Sequence, residues 1–481
     1  MNRGGKDAAS NDACRKTHGQ QLAVAVKWIA LPTLFTDIEV HGNTKWQVIH
    51  LVQVAVLWVW SSQRKMVEAA AEAIADAKEL FQVEHINSYQ TLLNGLKRYS
   101  DTILAALCPR LRQLMHQVDE SGFRVGLWLA LAVDGSRIST CRTLPNEKRF
   151  CKPKSCFTKK KRRKAKKRGR TATKRKPVTK KTHYNPQPVG PQVWLTLLWH
   201  VGLQMPWAWK IGPSYSSERH HFQELLNSLE FPEYTLICGD AGFVGYDFWK
   251  AIEEADLRFL IRVGSNCSFL KKLGRVRERE GIVYCWPKEK QKCKQPPLML
   301  RLMRFHDGKS EIYLVTNELC QRRLSDSQCQ TIYRKRWGVE LQFRALKQTY
   351  NRSKLLGRTP DVVEQELTWS LVGLWMMQLI ARRDQVDVIE PGTQTSIALV
   401  LAIIQRILRR PNTTSPRGES FRNQMSQAVT DNYQRLGRKK SRNYPRHKEQ
   451  PRSSPPIVTQ ATAAQKRLDK KIATGELLRA A

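Results

Sequence analysis

The sequence predicts an α/β protein: a mixed sheet with flanking helices, a β-rich insertion within it, and an all-α domain ahead of it. Three observations predict this. The first quarter of the chain repeats its apolar residues at helical spacing. From Val125 the pattern changes to short apolar runs separated by amphipathic stretches of helix length. Two of those runs end in aspartate, Asp134 and Asp240, with a hairpin and a helix between them.

Size and charge set the frame. A chain of 481 residues holds two or three cores. Lys and Arg number 82 against 42 Asp and Glu, a formal charge of +40. So large an excess calls for a polyanionic partner, with nucleic acid first and an anionic membrane surface second. The 14 tryptophans argue for substantial packed structure rather than a short basic structural protein. Eleven cysteines occur with no CxxC pair, and the polar start lacks the apolar core of a signal peptide, which points to free thiols in a reducing cytoplasm and to association with the nucleoid. Cys141, Cys151, Cys156 and His183 have spacings that match no familiar zinc knuckle. The apolar stretch Trp46 to Trp60 carries two Gln and a His and is shorter than the ~20 residues of a spanning helix, so it reads as a buried helix.

In chain order, residues 1–20 read as disordered. Residues 21–124 read as a helical domain, with helices over 21–30, 44–59, 63–81, 88–99 and 102–118. It serves either DNA-end recognition or plain packing and dimerisation, and no helix-turn-helix pattern decides between them. Residues 125–266 form the first part of the core. Here a strand ends at Asp134-Gly135-Ser136, and a carboxylate at a strand end is costly unless paired or metal-bound, although Asp-Gly is also an ordinary turn. Residues 141–190 read as a basic disordered insertion, because 152–181 holds 17 Lys or Arg and no acid. Such a run neutralises DNA phosphates with strong salt dependence. Two strands over 192–211, a helix over 217–230 and the strand ending at Asp240 follow. Strand-Asp, hairpin, helix, strand-Asp is the order of a ribonuclease-H-like core, in which the first and fourth strands are neighbours. Residues 267–318 read as a β-rich insertion. Trp286 within it either stacks on an unpaired base or simply packs. Residues 319–409 complete the core, with helices over 363–382 and 396–408, and 410–481 reads as a basic, mostly disordered tail with a short helix within 459–478.

The stretch TIYRKRWGVELQFRALKQTY reads as one uninterrupted helix. On a straight helix Tyr333, Arg336, Glu340 and Lys347 fall within roughly 60° of each other, and Ile332, Val339, Phe343, Leu346 and Tyr350 form a separate apolar stripe. A lone carboxylate among bases suits a face where Glu340 holds a divalent metal and the other three hold phosphate oxygens. The plain alternative is a solvated charged face with i,i+4 pairs. Asp134, Asp240 and Glu340 together are three acids that can hold two Mg²⁺ or Mn²⁺ ions ~4 Å apart, the clamp of in-line phosphodiester displacement. Hard oxygen donors without His or Cys disfavour Zn²⁺.

Those residues carry a resemblance. The spacing of Tyr333, Arg336, Glu340 and Lys347 resembles the signature of the DDE transposases of bacterial insertion sequences, in the family named after insertion sequence four. Asp134-Gly135-Ser136 and Asp240-Ala241-Gly242-Phe243 resemble the settings of that family's two aspartates, and the likeness covers about residues 125–385. The resemblance implies metal-dependent cleavage at element ends and strand transfer into target DNA, by a homodimer or larger synaptic complex. It implies metal binding by Asp134, Asp240 and Glu340 and a grip on the terminal phosphate by Tyr333, Arg336 and Lys347. Where members form hairpin ends, it implies that an aromatic such as Trp286 holds a flipped base. The long basic run after Asp134 departs from the pattern and bears on the path of the DNA. A nuclease on the same fold, or a DNA-binding protein without catalysis, stays open beside this reading.

Overall fold

The structure is a computed structural model that describes residues 16–152, 190–275, 281–306, 311–388, 393–414, 420–430 and 454–474. Most of the expected disorder at 1–20 and all of the basic run at 153–189 lie outside these residues, as do Cys156 and His183. The nine described cysteines are free.

The N-terminal helices pack as their sequences dictate. Helix α1 (His18–Ile29) starts at a reciprocal cap between Thr17 and Gln20. Helix α2 (Val48–Trp60) is apolar all round and buried along its length, as the run without charges requires. Helix α3 (Met66–Phe81) buries Ala70, Ala73 and Ala77, small residues that admit close neighbours. Helix α4 (Tyr89–Val118) is one helix where the sequence predicts two. The polar residue at the expected break, Ser100, is buried and satisfied: its hydroxyl donates to Gln365 and accepts from the Trp369 indole. A short turn, α5 (Glu120–Phe123), leads into the sheet.

The core follows the expected order. Strand β1 (Leu129–Ser139) is followed by α6 (Leu144–Phe150), β2 (Gln192–His200), β3 (Met205–Pro213), α7 (Glu218–Ser228), β4 (Thr235–Gly239), α8 (Tyr246–Glu254) and β5 (Arg258–Val263). The first part of the supposed basic insertion is thus structured: Thr143 caps α6 and Phe150 is buried, so that insertion begins later than residue 141. Strands β1, β4 and β5 run parallel, while β2 and β3 add antiparallel on the other side. The order β3-β2-β1-β4-β5 is ribonuclease-H-like.

The β-rich insertion does not stand apart. Its strands β6 (Ser268–Lys271), β7 (Ile282–Cys285), β8 (Leu298–His306) and β9 (Glu311–Thr316), with a turn of helix α9 (Lys288–Lys292), continue the same sheet through the β9–β5 pair.

Helices α10 (Asp326–Arg336) and α11 (Gly338–Arg344), a π-helical turn (Ala345–Thr349), α12 (Pro360–Gln385), α13 (Ile397–Arg409) and α14 (Phe421–Ser426) follow. Helix α12 is the axle of the molecule. Trp60 donates to the Gly373 carbonyl at 3.0 Å, and Arg382 grips Asp119, so the N-terminal helices and the core share one interior. The tail departs from expectation in its strand but not in its short helix, which falls within the expected 459–478. Strand β10 (Ile457–Gln460) pairs in parallel with β6 and completes a ten-stranded sheet, and α15 (Ala463–Ala473) covers that end. Alternating Ile457-Val458-Thr459 was too short a pattern to stand out from the polar residues around it. Among the described residues no helix is long and apolar enough to cross a membrane.

Candidate active site

Register brings the first two acids together. In the parallel β1–β4 pair Ala132 faces Cys238, so Asp134 and Asp240, each two residues further on, come side by side; β4 ends at Gly239, but β1 runs on to Ser139, so the strand end expected at Asp134 falls inside the strand, opposite Leu197 of β2. Asp134 Oδ1 accepts from the Gly135 amide at 2.8 Å. Asp240 Oδ1 accepts from the Gly242 amide at 2.7 Å and caps the turn Ala241–Phe243. Each carboxylate is thereby held by a nearby backbone amide, Asp134 within β1 and Asp240 in the turn after β4.

The third acid arrives on a helix that is not straight. The expected single helix breaks at Trp337 and again into the π-helical turn. Gly338 permits the first break, because a Cβ there would overlap the Trp199 ring, with Cζ2 at 2.7 Å. The break divides the polar face that a straight helix would present. Tyr333 and Arg336 turn inward and are 4% and 3% exposed, whereas Glu340 is exposed and Lys347 half-buried. The Arg336 guanidinium lies over the Tyr333 ring at 5.2 Å and the Trp337 ring at 5.5 Å, and its Nε has no partner among the described residues. Lys347 Nζ donates to Ser136 Oγ at 2.7 Å, which ties the π-helical turn to β1. Asp134, Ser136, Glu340 and Lys347 line one groove of about 450 Å³ with Phe343 and Arg344.

The electrostatics match this geometry. Burial raises the Asp134 carboxyl to about 6; the Gly135 amide and Arg336 oppose that rise, and the charges of Asp240 and Glu340 add to it. Burial also raises the Tyr333 phenol, with Arg336 and Arg262 opposing and Asp240 adding. Burial lowers the Lys347 ammonium. Asp134, Asp240, Glu340 and Arg336 therefore share one field.

A fourth carboxylate stands here that sequence reasoning missed. Glu218 is the first residue of α7, and its Oε1 lies 2.6 Å from where a Cβ of residue 135 would be. Gly135 is thus needed for close approach. Burial, then Asp134 and Asp240, push the Glu218 carboxyl up to about 7, with Arg137 and Arg219 opposing. Arg219 Nε donates to the Gly242 carbonyl at 2.8 Å, so the first turn of α7 touches the loops of both aspartates. The only signal in the sequence was the pairing of acid and base after Ser217, which any helix start can show.

Trp286 takes the packing alternative. It is 3% exposed in a satellite core with Leu273 and Tyr284, beneath Leu468 and Ile472 of α15, and its indole donates to the Gln295 carbonyl at 2.7 Å.

All donors at the three acids are oxygens, the chemistry of Mg²⁺ or Mn²⁺. Among the described residues no three ligating side chains close into a formed cage. The donors fit such an ion through Asp134 and Glu340 on one groove, with Asp240 near enough to act on Asp134, because a buried acid beside like charges gains from a cation.

Strand order and acid placement define the class, a ribonuclease-H-like domain with carboxylates at the edge of its central strands. More narrowly, residues 195–376 match the family model described as the transposase DDE domain. Asp240, Tyr333, Arg336, Glu340 and Lys347 fall inside that match and Asp134 precedes it. A provisionally named transposase, y4zB, of Sinorhizobium fredii is 27% identical over 156 residues, which are 31% of this chain and 43% of that protein. The chain thus spans less than half the length of that relative. Among solved structures, a piggyBac transposase synaptic complex with hairpin DNA is similar at a TM-score of 0.37 and 10% identity, covering 87% of each chain. A pre-cleavage Mos1 transpososome is similar at a TM-score of 0.16 and 12% identity, covering 46% of this chain and 61% of that one.

Proposed function

We propose that the chain is a DNA transposase that cleaves at the ends of a mobile element and joins those ends to target DNA. The observation that carries this reading is that Asp134 of β1 and Glu340 of a later helix line one groove with Lys347, while Asp240 and Arg336 stand near enough to act on the Asp134 carboxyl. The spacing from Tyr333 to Lys347 favours the family of insertion sequence four.

In this reading Asp134, Asp240 and Glu340 hold two Mg²⁺ or Mn²⁺ ions. When bound, such ions supply a nucleophilic oxygen at neutral pH and neutralise the leaving oxygen. Arg336, stacked between two rings and with Nε unpaired, offers a preset donor to a phosphate oxygen. Lys347 holds β1 through Ser136 and offers its remaining protons to the same phosphate. Tyr333 supports the guanidinium from below. Attack is in line and atom-balanced: water, then a 3′-hydroxyl, displaces an oxygen from phosphorus. DNA is the partner, both as terminal repeats and as target, and the formal charge of +40 suits it. The active form is a homodimer or larger assembly, because two ends must be joined, and it works in the cytoplasm at the nucleoid.

The test uses labelled DNA carrying the element's own terminal repeats. With Mg²⁺ the protein is expected to nick at the repeat boundary, and with Ca²⁺ to bind without nicking. Glu340→Gln is expected to lower cleavage by at least ~10³-fold while end binding stays. Cleavage that survives this change would remove Glu340 from the chemistry. Cleavage without any joined product would leave a nuclease.

A further inference from the structure

We infer that the cavity on the far side of the Glu340 helix receives one unpaired nucleotide of the DNA strand lying in the acid groove; this rests on the DNA reading above. The cavity has a volume of about 580 Å³, within the ~300–1,000 Å³ of small-ligand sites. It admits a nucleotide and no duplex. Its walls are α11 and the π-helical turn, the β2–β3 connection, α12, and the segment 393–398 that opens α13.

Three features fix the chemistry of its occupant. First, Arg344 and Gln348 line both this cavity and the acid groove, so a strand crossing the helix there passes from one to the other. Second, Lys335 and Arg344 line it together with the first residues of α13, and no described acidic side chain does, which favours a phosphate. The other cation, Arg382, is already held by Asp119. Third, five glutamines line it. Gln342 and Gln378 form its buried floor as an amide pair, with Gln342 Nε2 donating to Gln378 Oε1 at 2.8 Å. Trp199, 1% exposed, lines the same wall, and its indole N–H has no acceptor among the described residues. Gln378 Nε2 donates back to Gln342 Oε1 at 3.2 Å and to the Gln204 carbonyl at 3.0 Å, so the floor is satisfied, and it is the exposed amides of Gln348 and Gln394, with the unpaired N–H, that suit the edge of a base, which offers both donors and acceptors.

The inference is tested with the full chain in Ca²⁺, by anisotropy. A blunt terminal-repeat duplex is compared with the same duplex carrying a three-nucleotide single-stranded extension, on each strand in turn. The extension on one strand is expected to tighten binding about tenfold, the worth of one or two hydrogen bonds. Ala398 is exposed in the first turn of α13, so Ala398→Trp fills the cavity without entering the core. That variant is expected to lose the preference and keep its affinity for blunt DNA, and Lys335→Gln to lose part of it. 5-Iodouracil in the extension is expected to crosslink within 335–349 or 393–398. Equal affinity for both duplexes, a preference that survives Ala398→Trp, or crosslinks confined elsewhere would overturn the inference. Failure of the wild-type chain to bind either duplex would overturn the DNA reading itself.

Discussion

Glu218 occupies the space that Gly135 leaves empty, and the two residues together explain why the groove is electrically strained without a cation. The sign for Asp134 is definite. Its folded value of about 6 stands above the ordinary 3.8, so between these pH values the native state holds a proton that the unfolded chain has released. The stability that Asp134 contributes is whole below the lower value and is lost as pH rises through the upper one. Asp134→Asn should therefore stabilise the metal-free protein at pH 7–8 by about 1–2 kcal/mol, after discounting for solvent, and give no gain near pH 4. Millimolar Mg²⁺ should then raise the melting temperature of the parent and not of the variant. Urea midpoints at the two pH values, and melting with and without Mg²⁺, check both halves. At this scale the two aspartates and Glu340 stood out in the sequence as candidates, because an acid in an apolar run, or alone among bases, violates the local pattern. Glu218 was not, because an acid in the first turn of a helix obeys it.

Gly338 makes the same point for an element. The periodicity of 331–350 reads as one helix, and nothing in that stretch announces that Trp199, well over a hundred residues earlier, lies against residue 338. The break is a tertiary fact, which is why the sequence offered candidate residues but not which of them face inward. Gly338→Ala removes a helix-weakening glycine, worth ~1 kcal/mol, yet forces a methyl group into an indole ring. Overpacking of ~1–3 kcal/mol should win, so the urea midpoint should fall; a rise would mean that the ring yields. At the other end of the sheet, β10 and α15 cover Trp286, and Arg275 grips the buried Asp469 at 2.7 and 3.0 Å. A chain ending at residue 453 should show amide exchange at least ~10-fold faster in β6 and β7, and unchanged exchange in β1 and β4, by mass spectrometry.

For the whole molecule, the alternation of strands and helices was enough to read the class of fold, and the excess of positive charge to propose a polyanionic partner. They were not enough to read a shared interior: the N-terminal helices wrap α12, and the insertion extends the core sheet rather than standing beside it. Contacts between Trp60 and Gly373, or Ser100 and Trp369, join residues whose separation leaves no periodic trace. Binding to DNA should be steeply salt-dependent, with log K falling against log salt at a slope of about −5 to −9 if 6–10 phosphates are neutralised. A slope near zero in an anisotropy titration would exclude a binding mode led by charge. The parallel pairing of Ser268 with Ile457 also sets a timetable. A ribosome adding about 5–20 residues per second needs roughly 10–40 s to travel from the one to the other. Throughout that interval the outer edge of the nascent sheet has no neighbour, so a stretch translated long after the edge it covers is the one that shields the newborn protein from pairing with another copy of itself.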